Sequence, residues 1–256
     1  FNQKIDIRPA TRWSGRTGSA TLTRTGIKKA ISRFSNQTAY RIDKKTTLDN
    51  LVAAYNPLKT EVNDTDLISM NYSLRNTLFF NRMSPVFGVD VNYQSNRGKT
   101  LLTNGFDSRS NQFWGGKVRT GISRIITATI TYNNGVKNSF SEYFRNRTYR
   151  ISYYDIQPEI AFQRGTTTRI KASYKYSEKK NNIVADGTGG EQGFLNNIGL
   201  EVKRSAANKG SLQTQVNYIE IIYRDPENSP VAYDILEGLH PGQNITWNIS
   251  YQQNLS

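Results

Sequence analysis

Acid–base chemistry is the first chemistry to look for in this chain, and the residues that could perform it are few. The sole histidine, His240, shares a loop with Asp225, Asp234 and Glu237. This group is the one arrangement that could activate a nucleophile or a water. Because a lone histidine beside Pro241 and two glycines is typical of a solvated loop, we predict that the chain is not an enzyme. His240 remains the only residual candidate for a barrel hydrolase.

Metal and cofactor motifs are absent from the sequence. There is no cysteine and no GxxxxGK[ST] or HExxH motif, and the acidic residues near His240 lack the spacing of a calcium loop. The stretch Gly187-Thr188-Gly189-Gly190 has the composition of a phosphate loop, but no helix is predicted after it, so a loop tip is favoured. We therefore predict no cofactor and no metal site.

Basic side chains dominate the polar positions. The chain has 34 Lys and Arg against 20 Asp and Glu, a net charge of +14. If the chain forms strands whose polar faces line the lumen of a barrel, one interpretation is a lumen that favours anions. The other, which we favour because about a dozen strands leave limited room, is an interior packed with Arg–carboxylate pairs. The basic residues predicted to face the lumen are Arg33, Arg41, Arg75, Lys117, Arg119, Arg169, Lys171, Lys175 and Lys203, against the acids Asp90, Asp155, Glu159 and Glu201.

The elements that position these side chains are strands with a period of two. Between residues 168 and 176, Ile170 and Tyr174 fall on one face while Arg169 and Lys171 fall on the other. The same split recurs at 85–93, 114–122, 198–202 and 245–251. There is no run of about 18 apolar residues, so no transmembrane helix is predicted. The pattern predicts an all-β fold of about 12–14 antiparallel strands, a range compatible with the even strand numbers of single-chain barrels.

Connections between these strands alternate in length. The predicted tight turns are 81–84, 123–124, 164–167 and 205–209, and the predicted long loops are 94–111, 133–147, 177–193 and 224–243. An up-and-down transmembrane β-barrel has short periplasmic turns and long extracellular loops. We predict one barrel domain over residues 1–256. The ending at Leu255-Ser256, without a terminal aromatic residue, favours a piece of a longer chain.

Aromatic residues mark the predicted strand ends. Two belts of amphipathic rings are expected where a barrel meets the two membrane interfaces. The belt at the long-loop end comprises Tyr93, Trp114, Tyr132, Tyr176, Tyr223 and Trp247, and the belt at the short-turn end comprises Phe80, Phe87 and Phe162. These belts predict lipid as a partner.

With these strands, belts and loop lengths, the chain resembles outer-membrane β-barrel proteins of Gram-negative bacteria. Its strands, rich in Asn, Tyr and Arg, are similar to those of Bacteroidota barrels. The resemblance implies barrel topology and a location in the cell outer membrane. Nucleic acid is not an expected partner, because Lys and Arg are spread over many segments. Cations in the long loops fit lipopolysaccharide or ordinary solvation equally: Arg97, Lys99, Arg109, Lys137, Arg145 and Arg147.

Three functional classes follow. The leading prediction is a non-enzymatic membrane anchor or subunit of a larger outer-membrane protein complex, which binds other outer-membrane or surface proteins through its long loops. The alternative is a transport barrel, either an anion-preferring channel or part of a receptor or transporter. The third is a soluble β-rich binding module, which a requirement for detergent would separate from the first two.

Overall fold

Strands make up most of the computed structural model, which describes residues 2–7, 10–12, 33–46, 60–61, 67–185, 188–206 and 210–253. The strands are β1 (Asn2–Ile7), β2 (Ala10–Arg12), β3 (Phe34–Thr46), β4 (Leu67–Phe80), β5 (Phe87–Leu102), β6 (Gly105–Gly121), β7 (Ile126–Ser141), β8 (Tyr149–Arg164), β9 (Thr168–Asn181), β10 (Val184–Ala185), β11 (Thr188–Gly189), β12 (Gln192–Ala206), β13 (Gly210–Tyr223) and β14 (Gly242–Gln252). A 3₁₀ turn covers Arg145–Arg147, and an α-helix, α1, covers Pro230–Leu236. No helix in the described residues is both long and apolar enough to cross a membrane.

The predicted fold class is confirmed: the chain is an antiparallel up-and-down sheet of the transmembrane β-barrel class. Its order is β1-β3-β4-β5-β6-β7-β8-β9-β12-β13-β14, with β2 also on β3, which makes twelve strands in one sheet. β1 pairs with Tyr40–Lys45 and β2 with Ser35–Gln37, so the two short strands share one edge of β3. Within the described residues no pairing joins β14 to that edge, and the sheet is therefore not closed.

The chain divides into two compact units. One comprises residues 1–83, 89–116 and 134–152, and its buried core is Ile42, Leu67 and Met70 with Tyr40 and Tyr72 packed against it. The other comprises residues 84–88, 117–133 and 153–256 and contains β9, β12, β13, β14 and α1. No observation tests the prediction of a single domain, which stays a prediction.

The long loops are shorter than predicted. β5 continues to Leu102 and β6 begins at Gly105, so most of the predicted 94–111 loop is strand. β7 likewise extends to Ser141. These segments are polar on both faces, so the hydrophobic alternation that marks a strand in the sequence fades. Backbone pairing does not require that alternation, and the strands continue.

Short turns lie close to the predicted positions. β4 ends at Phe80 before a turn in which Asn81 adopts a left-handed φ of 55°. Gly165, with φ of 58°, lies between β8 and β9. A Cβ at Gly121 would overlap the Pro85 carbonyl oxygen, which explains the glycine there. The connection 207–209 lies outside the described residues.

Candidate functional site: the polar face of β9, β12, β13 and β14

Strand register in the second unit sorts side chains onto two faces. Directly opposed residues of antiparallel strands share a face. Lys171 opposes Glu201, which opposes Gln215, which opposes Asn248. We call this side the polar face. In order from the short-turn end of β9 it carries Arg169, Lys171, Ser173, Lys175, Ser177 and Lys179, with Lys203, Glu201, Gly199, Asn197, Leu195 and Gly193 opposite them on β12.

The other side, the apolar face, is exposed. Ile198 on β12 is 59% exposed, and Trp247 on β14 is 69% exposed. A continuous row of exposed aliphatic and aromatic residues is unusual on a surface that contacts water. The row comprises Ile170, Tyr174, Ile198, Leu200, Val216, Ile245, Trp247, Ile249 and Tyr251.

Helix α1 lies between β13 and β14 and covers one end of the polar face. Its start follows from sequence: Ser229 is the N-cap, its hydroxyl accepts from the Ala232 amide at 2.9 Å, and Pro230 occupies the first turn. Glu237 ends the helix in a left-handed conformation, and its amide donates to the Tyr233 carbonyl. The helix has one buried side, comprising Val231, Ala232, Ile235 and Leu236.

The helix contacts β9 and β12 closely. At Gly193 a Cβ would overlap Cγ2 of Ile235, so only glycine allows this approach. Leu195, Ile219 and Ile221 are also buried on the polar face at this end. An apolar patch on an otherwise polar face therefore matches the buried side of α1.

Lys179 fastens the C-terminus of α1 to the sheet. Its ammonium donates to the carbonyl oxygens of Asp234 at 3.0 Å and Ile235 at 3.2 Å, and lies 2.9 Å from Oε1 of Glu237. Lys175 approaches the same carboxylate oxygen at 3.6 Å. The helix C-terminus is the negative end of its dipole, which two cations stabilise. We call Lys175, Lys179 and Glu237 the helix clamp.

The clamp determines the protonation of Glu237. Burial alone would raise the pKa of this carboxyl, but Lys179 and Lys175 oppose that effect through charge and hydrogen bonding. The net result is a pKa below the ordinary value of 4.5. Glu237 is therefore a carboxylate at neutral pH, and both lysines stay paired.

A second ionic cluster lies further toward the short turns. The Lys171 ammonium is 2.9 Å from Glu201 and 3.7 Å from Glu159. The other oxygen of Glu201 accepts from the Gln213 amide at 3.2 Å. Glu159 and Glu201, two of the four acids predicted on the polar strand faces, thus share one lysine, and Glu201 also accepts from an amide.

Arg169 and Lys203 form the last level of the polar face. They are directly opposed across β9 and β12, and both are exposed. In the part of the chain that the structure describes, neither has an acidic partner within salt-bridge distance. Two like charges are therefore adjacent on one face.

The structure brings together only some of the predicted basic residues. Arg169, Lys171, Lys175 and Lys203 share the polar face of the second unit. In the first unit, Arg41 opposes Ser73 and Arg75 opposes Ala39, which puts both on the side away from Ile42 and Met70. Of the other three, Arg33 precedes β3, Lys117 is exposed on β6, and Arg119 donates to the Ser84 carbonyl oxygen at 3.3 Å. No observation tests whether these residues line a lumen.

The predicted aromatic belts contain one misplaced residue. Tyr93, Trp114, Trp247 and Phe87 are exposed, as an interfacial position requires, while Tyr132, Tyr176, Phe80 and Phe162 are partly exposed. Tyr223 is instead only 9% exposed and faces the polar side opposite Gly193. Its hydroxyl donates to the Pro226 carbonyl at 3.5 Å. The alternation of side chains along β13 places it there. Ile219, Ile221 and Tyr223 lie on the polar face, whereas Val216 and Tyr218 lie on the apolar face.

His240 does not join the predicted acidic group. Its side chain is 90% exposed, and its Nδ1 lies 3.5 Å from Glu227. Glu237 is held by the lysine clamp, and Asp234 is a residue of α1. Among the described residues no group of three or more His, Cys, Asp or Glu could hold a metal ion.

Sequence reasoning missed α1 and the clamp. Two features of the sequence indicate the helix. One is Ser229-Pro230, an N-cap residue followed by proline, and the other is the helical spacing of the apolar residues Val231, Ala232, Ile235 and Leu236. The pairing of Lys179 with Glu237 has no sequence signal, because 58 positions separate the two residues along the chain.

Comparison with known proteins gives one structural likeness. No protein-family model matches the sequence, and no curated protein matches it. Among solved structures, the chain is similar to "Outer-membrane expressed OmpT of Vibrio cholerae", with 12% identity and a TM-score of 0.42 over 86% of this chain and 81% of that one. This likeness concerns the fold alone.

Two predictions are corrected against this comparison. The predicted non-enzymatic anchor or subunit is contradicted by the structural neighbour OmpT. The prediction that the chain is not an enzyme is wrong as well. It rested on missing motifs, and a fold by itself excludes no enzymatic activity.

Proposed function

We propose that this chain is an outer-membrane transport barrel in which small solutes pass along the polar face, narrowed at one end by α1. The observation that carries the proposal is the attachment of α1 to the polar face through Lys179 and Gly193. A loop helix held on that face, and not extended into solvent, restricts what passes beside it.

The chemistry of the polar and apolar faces supports the proposed transport function. A barrel in lipid presents apolar side chains outward and polar ones to a water-filled interior. The exposed row that includes Ile198 and Trp247 fits contact with hydrocarbon. On the opposite side, Arg169, Lys203 and Asn248 are exposed polar groups, which require water.

Lipid and lipopolysaccharide are the partners that a location in the outer membrane implies. Exposed aromatic residues such as Trp247 and Tyr93 favour the interfacial region of a bilayer. Lipopolysaccharide is a proposed partner of the exposed cations Arg109 and Arg147. Lys99 is excluded from that set because it is buried and lies 4.3 Å from the centre of the Phe106 ring. An origin in Bacteroidota rests on sequence pattern alone and stays a prediction.

Single-channel recording in planar bilayers tests the proposal. The intact protein is expected to conduct, and replacing residues 229–237 with a glycine–serine linker of equal length is expected to raise the conductance. A matched control replaces residues 142–147, a connection outside the second unit, in the same way and is expected to leave conductance unchanged. Absence of any current from the refolded intact protein would contradict the proposed function.

A further inference from the structure

The level of the polar face formed by Arg169 and Lys203 is electrostatically unlike its neighbours. One step toward α1, the Lys171 ammonium pairs with Glu201 and Glu159 at 2.9 and 3.7 Å, so one cation meets two carboxylates. At the far end, Lys175 and Lys179 share Glu237. Arg169 and Lys203 are two cations in directly paired positions of β9 and β12. Directly opposed like charges destabilise a strand pair, so this arrangement has a cost in the empty protein.

No acid within the described part of the chain lies within salt-bridge distance of Arg169 or Lys203. The nearest acid along β12 on the same face is Glu201, whose two oxygens are occupied by Lys171 and Gln213. Opposite Lys203 on β13 is Gln213, and opposite that on β14 is Ser250. The positions opposed to Lys203 on β13 and β14 are therefore uncharged and carry amide and hydroxyl groups that can donate hydrogen bonds.

We infer that Arg169 and Lys203 form a binding site for small oxyanions, such as those carrying phosphate or carboxylate groups. This inference rests on the proposed transport function and assigns its solute class. The guanidinium fork can hold two oxygens of one oxyanion, and the ammonium opposite it supplies a second point charge. Opposed Cβ atoms about 5 Å apart leave room for one such group between the two side-chain ends. Both side chains are exposed, so an arriving anion does not have to displace a partner.

The double variant R169Q/K203Q tests the inference by ion selectivity. The reversal potential under a potassium chloride gradient gives the ratio of chloride to potassium permeability. An ion passing about 5 Å from a unit charge in water changes in local concentration by about fourfold, so the ratio is expected to fall by about that factor or more. The matched control is R164Q/R204Q, which removes two charges at the same end. Arg204 opposes Thr168, so it lies on the apolar face.

Binding of inorganic phosphate to the detergent-solubilised protein provides a readout that does not need conduction. Phosphorus NMR line broadening is expected for the intact protein and for R164Q/R204Q, and it is expected to be lost in R169Q/K203Q. Binding without current would support the site and overturn the proposed transport function. Current with the same selectivity and the same phosphate broadening in both double variants would overturn the oxyanion site and leave transport standing.

Discussion

Lys179 is a buried cation that contacts Asp234 and Ile235 of α1 and the C-cap residue Glu237. Substituting Lys179→Met keeps the length of the side chain but leaves the carbonyl groups of Asp234 and Ile235 without this donor. Because a lost buried hydrogen bond costs about 1–3 kcal/mol, amide exchange in 230–236 should accelerate by about tenfold or more. Hydrogen-exchange mass spectrometry measures this. Lys175→Met is the control, since its 3.6 Å contact with Glu237 is the weaker one; equal effects of both substitutions would contradict the role of Lys179.

Glu237 makes the attachment of α1 dependent on pH. Its pKa in the folded protein is lowered below 4.5, so its contribution is fully present above pH 4.5 and is lost as the pH falls through the lower folded value. A spin label at the exposed position Tyr233, introduced as Tyr233→Cys in this cysteine-free chain, should become more mobile over that acid range. Electron paramagnetic resonance spectra record the change. With Glu237→Gln the mobility should not depend on pH there, and a persistent transition would show that another group is responsible.

Among the secondary-structure elements, the packing of α1 against β12 depends on one glycine of that strand. Gly193→Ala would place a Cβ against Cγ2 of Ile235, so the helix must shift or the strand must move. We expect a thermal unfolding temperature lower by about 2–8 °C, corresponding to a cost of about 1–3 kcal/mol from overpacking. Circular dichroism of the refolded protein measures it.

Gly116→Ala is the matched control for that substitution, because a Cβ there meets nothing within 4 Å. The second substitution Ile235→Ala in the Gly193→Ala background removes the clashing methyl group and should recover part of the loss. If Gly193→Ala were as stable as Gly116→Ala, the close packing of α1 on β12 would be wrong.

Strand β14 tests the assignment of the two faces. Single cysteines at Ile245, Trp247 and Ile249 should place a spin label in lipid, accessible to oxygen, whereas labels at Thr246, Asn248 and Ser250 should be accessible to a water-soluble nickel complex. The expected result is a period of two along the strand in reconstituted vesicles. Uniform accessibility to the nickel complex would contradict a membrane-facing apolar side.

At the scale of the whole molecule, the exposed apolar residues predict the solvent that the protein needs. Side chains such as Ile198 and Trp247 expose large apolar surfaces that water does not favour. The purified chain should therefore require detergent, and removing the detergent should cause aggregation. Size-exclusion chromatography with light scattering measures this. A stable monomer in plain buffer would support the soluble β-rich module and remove the membrane assignment.

Much of the fold could be predicted from local pattern. A period of two in stretches such as 168–176 depends only on the geometry of a strand, and turn residues such as Gly165 act through their own backbone. Prediction failed where the pattern carries no hydrophobic contrast. The extensions of β5 and β7 are polar on both faces, so no alternation marks them as strands. Tyr223 was assigned to an aromatic belt because it lies near a loop, whereas its position along β13 decides which face of the sheet it occupies.

Most of the strands, their alternating faces and the concentration of cations on one of them are predictable, because these features follow from neighbours along the chain. Which cations have acidic partners depends on the tertiary fold. Lys171 meets Glu201, and Lys179 meets Glu237, through strand register and the return of α1 to the sheet, whereas Arg169 and Lys203 meet each other. Charge interactions depend on distance in space, and residues far apart along the chain reach those distances only when the strands have paired.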